Sequence, residues 1–393
     1  MTNLSLKTKI EFDHKEDTIW GSFDYNNKVY NPIQLKDGTI LIYTNEDITI
    51  FSKNLKHKKL ISFSNEYVVN DNSIVISKIK QIKNGKIFCC VKNLYIFEIK
   101  DNNIINTKKI IFPDDEYIYD IIELKNGKLL GISNNSIFEI KNEGEKYTIS
   151  KLFQIPNNWL IIAFSKKERF FSSFKQYIDM YELPNNRLII HSHSSEFSHN
   201  GGCGTAPPSE ISVNKIFILK LENFEIYEQF NEIISELNII ILNKYFCLCY
   251  SYFNYYRKII DIYDINDYKL IKRIDDGFDK DYIIKYNKNM FLALSQNEKI
   301  NDIILYNISK INNIEFKKIN GDFIKFKTKI YNCCYPVRNL KNKTFCILKN
   351  GDILIICHGF IYIVNFPESF NKLPFNSLKE IENKKKINYI NFD

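Results

Sequence analysis

A chain of 393 residues has room for two or three domains, and a content of 45% hydrophobic and 15% aromatic residues supplies material for a sizeable core. The net charge of +8 comes from 54 basic and 46 acidic residues spread along the whole length, whereas a dedicated nucleic-acid binder gathers its Lys and Arg on one stripe. No apolar run reaches the roughly 18 residues of a membrane span, and the N-terminal MTNLSLKTKIEFDH lacks the apolar centre of a signal peptide.

In chain order, Lys7–Phe12 and Thr18–Phe23 read as strands. The first strong signal follows: Leu35-Lys36-Asp37-Gly38-Thr39-Ile40-Leu41. The phrase returns at Ile82-Lys83-Asn84-Gly85, at Leu124-Lys125-Asn126-Gly127 and at Leu348-Lys349-Asn350-Gly351. Asp-Gly or Asn-Gly between apolar runs predicts a hairpin, read here as a two-residue turn with φ > 0 at both central positions. The run after each turn is apolar at nearly every position, as in a strand covered on both faces. A second, better alternating phrase comes next, as in Ile48–Phe51, Leu94–Glu98, Ser136–Glu139, Ile260–Asp264, Ile303–Asn307 and Ile361–Val364. It predicts a third strand with one wetter face.

Weaker copies of the turn begin at Leu183, Leu242 and Tyr286. The seven copies start at 35, 82, 124, 183, 242, 286 and 348, a spacing of 42 to 62 residues. A four-stranded unit with ordinary loops takes roughly 40–50 residues. The expectation is an all-β chain in one domain, residues 1–393. It is a seven-bladed β-propeller of four-stranded antiparallel blades, with an eighth degenerate blade over 141–176 as the alternative. The ring is expected to close by pairing strands of the two chain ends, Ile10 and Phe12 with 387–392. A short helix is expected near 377–384, and Lys384-Lys385-Lys386 reads as a solvated tail or helix end.

The fourth unit carries an apparent loop insertion at 191–214, far longer than its counterparts and holding three of the six histidines. Long irregular loops in compact folds are often functional. His191, His193, His199 and Cys203 have ligand-type side chains, and 191 and 193 point the same way on an extended strand. Folded back on His199 or Cys203, they offer a metal site; the alternative is a polar loop in which histidine is incidental. In the fifth unit Tyr250, Tyr252, Phe253, Tyr255, Tyr256 and Arg257 form an aromatic cluster able to grip a peptide or stack on bases, or else to pack between blades. The nine cysteines include no CxxC pair and lie mostly in apolar runs, which predicts buried free thiols in a reducing, cytoplasmic setting.

The third-strand phrases resemble those of the WD-repeat propellers. Ile260-Asp261-Ile262-Tyr263-Asp264 is the best copy, with Tyr263 where that family has Trp and Asp264 matching its Asp. The family's Gly-His pair is absent. The resemblance implies a scaffold that binds partners and implies no catalytic residues. The expected function is therefore a non-catalytic platform for protein partners on its loop face, monomeric by itself, with no cofactor and no nucleic-acid partner. The alternative is a hydrolase or lyase at the channel mouth, metal-assisted through the histidine-rich loop.

Overall fold

The computed structural model describes residues 5–11, 31–44, 47–53, 55, 58–62, 76–91, 93–113, 116–144, 146–156, 172–198, 209–230, 237–251, 258–275, 282–294, 303–319, 344–357, 360–365 and 376–377. Among them there is no α-helix, and a single 3₁₀ turn spans Ile311–Asn313. No helix among the described residues is long and apolar enough to cross a membrane.

Strand β1 is Ser5–Glu11. The first sheet holds β2 (Asn31–Gln34), β3 (Ile40–Tyr43), β4 (Asp47–Phe51) and β5 (Lys58–Ser62). The second holds β6 (Lys78–Gln81), β7 (Ile87–Cys90), β8 (Leu94–Lys100) and β9 (Asn103–Ile110). The third holds β10 (Ile118–Glu123), β11 (Leu129–Ser133), β12 (Ser136–Glu143) and β13 (Lys146–Gln154). The fourth holds β14 (Ser172–Leu183), β15 (Arg187–Ser198), β16 (Ser209–Lys220) and β17 (Ile226–Gln229). The fifth holds β18 (Leu237–Ile241), β19 (Tyr245–Ser251), β20 (Lys258–Asp264) and β21 (Leu270–Ile274).

The sixth sheet holds β22 (Tyr282–Lys285), β23 (Met290–Leu294), β24 (Ile303–Asn307) and β25 (Glu315–Ile319). The seventh holds β26 (Thr344–Ile347), β27 (Ile353–Cys357) and β28 (Phe360–Asn365). Finally, β29 (Asn376–Ser377) adds a fifth strand to the sixth sheet. All seven sheets are antiparallel meanders in chain order, and each repeated turn joins the first and second strands of one sheet. The seventh is completed by β1, paired along β28 from Ser5↔Asn365 to Glu11↔Phe360. The N-terminal strand thus joins the last sheet as expected. Its partner is β28, while the anticipated partner, 387–392, lies outside the described residues.

Four of these sheets lie in one compact unit, Lys28–Ile234; the fifth, sixth and seventh lie in the other, made of Met1–Asn27 and Ser235–Asp393. Within each unit, apolar faces pack sheet on sheet. Phe97 sits among Leu41, Ile48, Ile79 and Cys89 between the first and second sheets. Phe88 and Phe138 fill the space between the second and third. Burial of each such ring contributes about 1.5–3 kcal/mol. The second strands β3, β7 and β11, apolar but for Ser133, are buried at every position. Four of the fourth strands carry basic doublets, Lys58-Lys59, Lys108-Lys109, Lys272-Arg273 and Lys317-Lys318, and Lys59, Lys108, Lys109 and Arg273 are exposed. Charge on an outer strand discourages edge-to-edge aggregation.

The repeated turn differs from the two-residue form. Gly38 N donates to Leu35 O and Leu35 N to Thr39 O, leaving a three-residue loop. The same bonds recur at Ile82, Leu124 and Leu348. Only the Gly has positive φ: +95 at Gly38, +93 at Gly85, +86 at Gly127 and +84 at Gly351. This is a type I turn followed by a left-handed residue, the favoured three-residue hairpin. The Asp or Asn before it serves by its side chain instead. Asp37, Asn84, Asn126 and Asn350 each accept, through Oδ1, the N–H two residues on, at 3.0–3.1 Å. In the fourth sheet Asn186, at φ +60, does the glycine's work. The two-residue turn with both φ positive does occur, at Asp101-Asn102 between β8 and β9.

One further expectation is corrected. The expected loop 191–214 is mostly strand, since β15 and β16 pair from Arg187↔Lys220 to Ser198↔Ser209. Its Ser, His and Glu residues have little strand preference of their own, but ladders with β14 on one side and β16 on the other override it. Ser377, where the short helix was expected to begin, lies in β29, and 378–384 fall outside the described residues.

Candidate functional site

Within residues 28–234, charged side chains on the first strands of three successive sheets meet. On β6, Ile79 is buried in the core, so Lys78 and Lys80 share the opposite face. On β10, the register shifts between Ile118 and Asp120, and this bulge brings Asp120 to complete burial beside Ile118 and Ile121. Lys80 Nζ lies 2.6 Å from Asp120 Oδ1 and also donates to Ile121 O at 2.8 Å. Asp120 accepts two further bonds, from Ile121 N at 2.8 Å and from Met180 N of β14 at 2.9 Å. One carboxylate thereby ties three sheets together.

On β14, Ile178 and Met180 face the third sheet's core, and Asp179 between them takes the other side. Lys78 Nζ reaches Asp179 Oδ1 at 2.7 Å across the intervening sheet. Both side chains keep some access to water, 33% and 25% exposed. Burial alone would raise the carboxyl of Asp179, but Lys78, His191 and Lys80 outweigh it and hold it at about 2. For Lys78 burial acts downward, and Asp179, Asp120, Tyr43 and Tyr181 push its ammonium well above the usual value. Burial raises the Tyr43 phenol to about 12.

Asp179 stands directly opposite His191 on β15, and His193 directly opposite Asn214 on β16. His191 and His193 share one face, as the strand period requires. Both rings approach one atom: His191 Nε2 lies 2.8 Å and His193 Nδ1 2.9 Å from Asn214 Oδ1. A carbonyl oxygen only accepts, so each ring donates there. Burial lowers the pKa of His191, against the pull of Asp179, so the ring is neutral at neutral pH. The expected same-side pointing of the two histidines is thus found, with Asn214 as their shared partner. His199 and Cys203 lie outside the described residues, and no group of three or more His, Cys, Asp or Glu among the described residues has metal-site geometry.

Of the aromatic cluster, Tyr250 alone is described; Tyr252, Phe253, Tyr255, Tyr256 and Arg257 are not. Tyr250 OH donates to Asp261 Oδ2 at 2.6 Å. Arg273 grips the same buried carboxylate with two bonds, Nε to Oδ1 at 2.7 Å and Nη2 to Oδ2 at 2.8 Å. In the WD-like phrase, Tyr263 stacks on Phe246 with ring centroids 5.1 Å apart, and Asp264 Oδ1 accepts Asn266 N at 2.7 Å, capping the turn.

Sequence reasoning passed over Lys78, Lys80, Asp120, Asp179 and Asn214. For Asp120 and Asp179 the signal was a carboxylate set between apolar residues of a strand.

Meandering four-stranded sheets in series define the β-propeller class, and the comparisons agree. No known family matches the chain and no curated protein matches it. Among solved structures it is similar to virginiamycin B lyase from Staphylococcus aureus, at 12% identity over 91% of this chain and 98% of that one, TM-score 0.51. YCF48 bound to D1 peptide aligns at 10% identity over 88% and 97%, TM-score 0.49. The WD40 domain of SCAP from fission yeast aligns at 9% over 87% and 96%, TM-score 0.39. At such identities the likeness to the lyase shows the propeller fold alone.

Proposed function

We propose that the chain is a non-catalytic propeller of seven blades that binds protein partners through the loops joining second and third strands. One observation carries this reading: the ionised groups at the centre of residues 28–234 neutralise one another. Lys78 pairs with Asp179 and Lys80 with Asp120. Asp179 is held low and Lys78 high, each away from the working pH. A general acid or base is poised near that pH. These pairs suit a rigid support better than proton transfer. The fourth sheet supplies a recognition arm, because β14, β15 and β16 run to twelve residues each while strands of the first three sheets run from four to nine. The five described free cysteines, of which Cys89, Cys90, Cys247 and Cys249 are buried, suit a reducing compartment.

Cross-linking of the tagged chain in its native cell tests the reading. A stoichiometric partner cross-linked to the arm, and lost when 195–212 is replaced by a short Asn-Gly turn, is the expected result. A partner retained at full yield by that variant counts against it.

A second reading, a metal-assisted hydrolase or lyase, draws on the two histidine rings fixed by Asn214 beside Asp179. Elemental analysis of purified protein with His191→Ala and His193→Ala decides. Stoichiometric zinc lost in both variants supports it, and metal-free wild type removes it.

A further inference from the structure

An asparagine followed by glycine is the pair most prone to deamidate, because no side chain shields the glycine nitrogen from the asparagine amide. Three of the repeated turns carry it, at Asn84-Gly85, Asn126-Gly127 and Asn350-Gly351; Asn200-Gly201 and Asn320-Gly321 lie outside the described residues. In each turn two bonds stand in the way. The Asn Oδ1 is held by the N–H two residues on, at 3.0–3.1 Å. The Gly N–H is held by the carbonyl three residues back, at 2.8–3.0 Å. The turns at 82 and 348 add a third restraint. Gln81 Nε2 donates to Gly85 O at 2.9 Å, and Asn350 Nδ2 donates to Asp352 Oδ2 at 2.8 Å. The turn at 124 has neither. Glu123 stands where Gln81 does, and a carboxylate has no N–H to give. Lys128 stands where Asp352 does, and an ammonium has no acceptor to offer. Lys125, Asn126, Gly127 and Lys128 are all exposed, whereas Gly85 and Gly351 are half-buried.

We propose that Asn126 is a site of spontaneous covalent modification, deamidating ahead of Asn84 and Asn350 and unlatching the third sheet from the fourth when it does. Water is the co-reactant. Gly127 N loses its proton and bonds to Asn126 Cγ, and the side-chain nitrogen leaves as ammonia. The cyclic imide then takes up one water, and nothing is oxidised or reduced. Opening at Cγ leaves an aspartate. Opening at the main-chain carbonyl leaves an isoaspartate, whose backbone runs through an added methylene. The two products differ in effect. The first repeated turn already carries an aspartate, and there Asp37 Oδ1 accepts Thr39 N at 3.0 Å with the loop closed. An added methylene instead lengthens the loop that Leu124 N closes on Lys128 O at 2.8 Å. Lys125 N, which donates to Glu182 of β14 at 3.0–3.1 Å, turns away when that loop opens. The reaction needs no bound partner, so it stands or falls apart from the scaffold reading above.

The test is peptide mass mapping of the full chain aged in mildly alkaline buffer, with each site's rate divided by its own rate in urea. Asn126 is expected to convert about fivefold faster than Asn84 or Asn350, the worth of one hydrogen bond. Aged wild type is expected to unfold at lower urea than aged Asn126→Asp, which keeps the turn and forms isoaspartate far more slowly. Asn84 or Asn350 keeping pace with Asn126, no conversion at Asn126, or equal urea midpoints for the two aged proteins overturns the proposal. Should Asn126→Asp fold poorly, the isoaspartyl and aspartyl fractions of aged wild type, separated by chromatography, are compared by the same criterion.

Discussion

The two compact units join sheet to sheet by different chemistry. In residues 28–234 the amide opening each of the first three repeated turns grips a side chain of the following sheet. Lys36 N donates to Gln81 Oε1 at 2.7 Å, Lys83 N to Glu123 Oε2 at 2.6 Å, and Lys125 N to Glu182 at 3.0–3.1 Å. The charged pairs of β6, β10 and β14 add a second tie. In the other unit the corresponding amide, Asn243 N, donates to a backbone oxygen, Lys288 O, at 2.9 Å. There the buried carboxylate, Asp261, is satisfied within its own sheet. Between the fifth and sixth sheets Cys247, Ile262, Phe291 and Tyr306 supply the packing. The difference is written in one column. Gln34, Gln81, Glu123 and Glu182 precede the first four turns, and Ile241, Lys285 and Ile347 precede the last three. One fold thus tolerates polar latches or apolar contact at the same joint.

The largest effect should come from Asp120→Ala. It strands Lys80 and two buried N–H groups, and removal of one partner of a buried pair costs about 4 kcal/mol. Urea titration followed by Tyr fluorescence measures it, and a loss below about 1 kcal/mol would erase the contrast between the units. Asp261→Ala should cost less, about 3 kcal/mol, because Arg273 is 41% exposed and can turn to water.

Acid should weaken the 28–234 unit in two stages. The folded pKa of His191 lies below its ordinary 6.5, so the unfolded chain binds that proton first and stability falls as pH drops below 6.5. Asp179 titrates at about 2 against an ordinary 3.8. Its contribution, about 2 kcal/mol, is whole above pH 4 and lost as pH falls through 2. Urea midpoints between pH 7 and 2 check both, and His191→Gln should abolish the upper stage alone. The smallest effect is Gly127→Ala. No atom crowds the site, yet φ of +86 should cost about 1 kcal/mol. Asn186→Gly, at the equivalent position, should be near neutral.

The turns were legible because their causes are local: a glycine that must take positive φ, and an Asx side chain bonding two residues on. The four turns at 35, 82, 124 and 348 follow from them in full. The arm at 191–198 was misread because its strand character comes from β14 and β16, not from its own residues. Asp120 and Asp179 were illegible for a related reason. A single Asp in a strand looks like a wet face, and what buries it, Met180 N or Lys78, lies about 60 or 100 residues away. The Gln/Glu column was in plain view, but its partner is the amide of the preceding sheet, which no single repeat reveals.

The pairing of β1 with β28 sets an order in time. Strand β1 leaves the ribosome about 350 residues ahead of its ladder partner. At about 5–20 residues per second, Ser5–Glu11 waits on the order of twenty seconds to a minute with its edge unsatisfied. All of Lys28–Ile234 is synthesised within that interval, so four sheets can finish folding while β1 still waits for the strands of its own sheet.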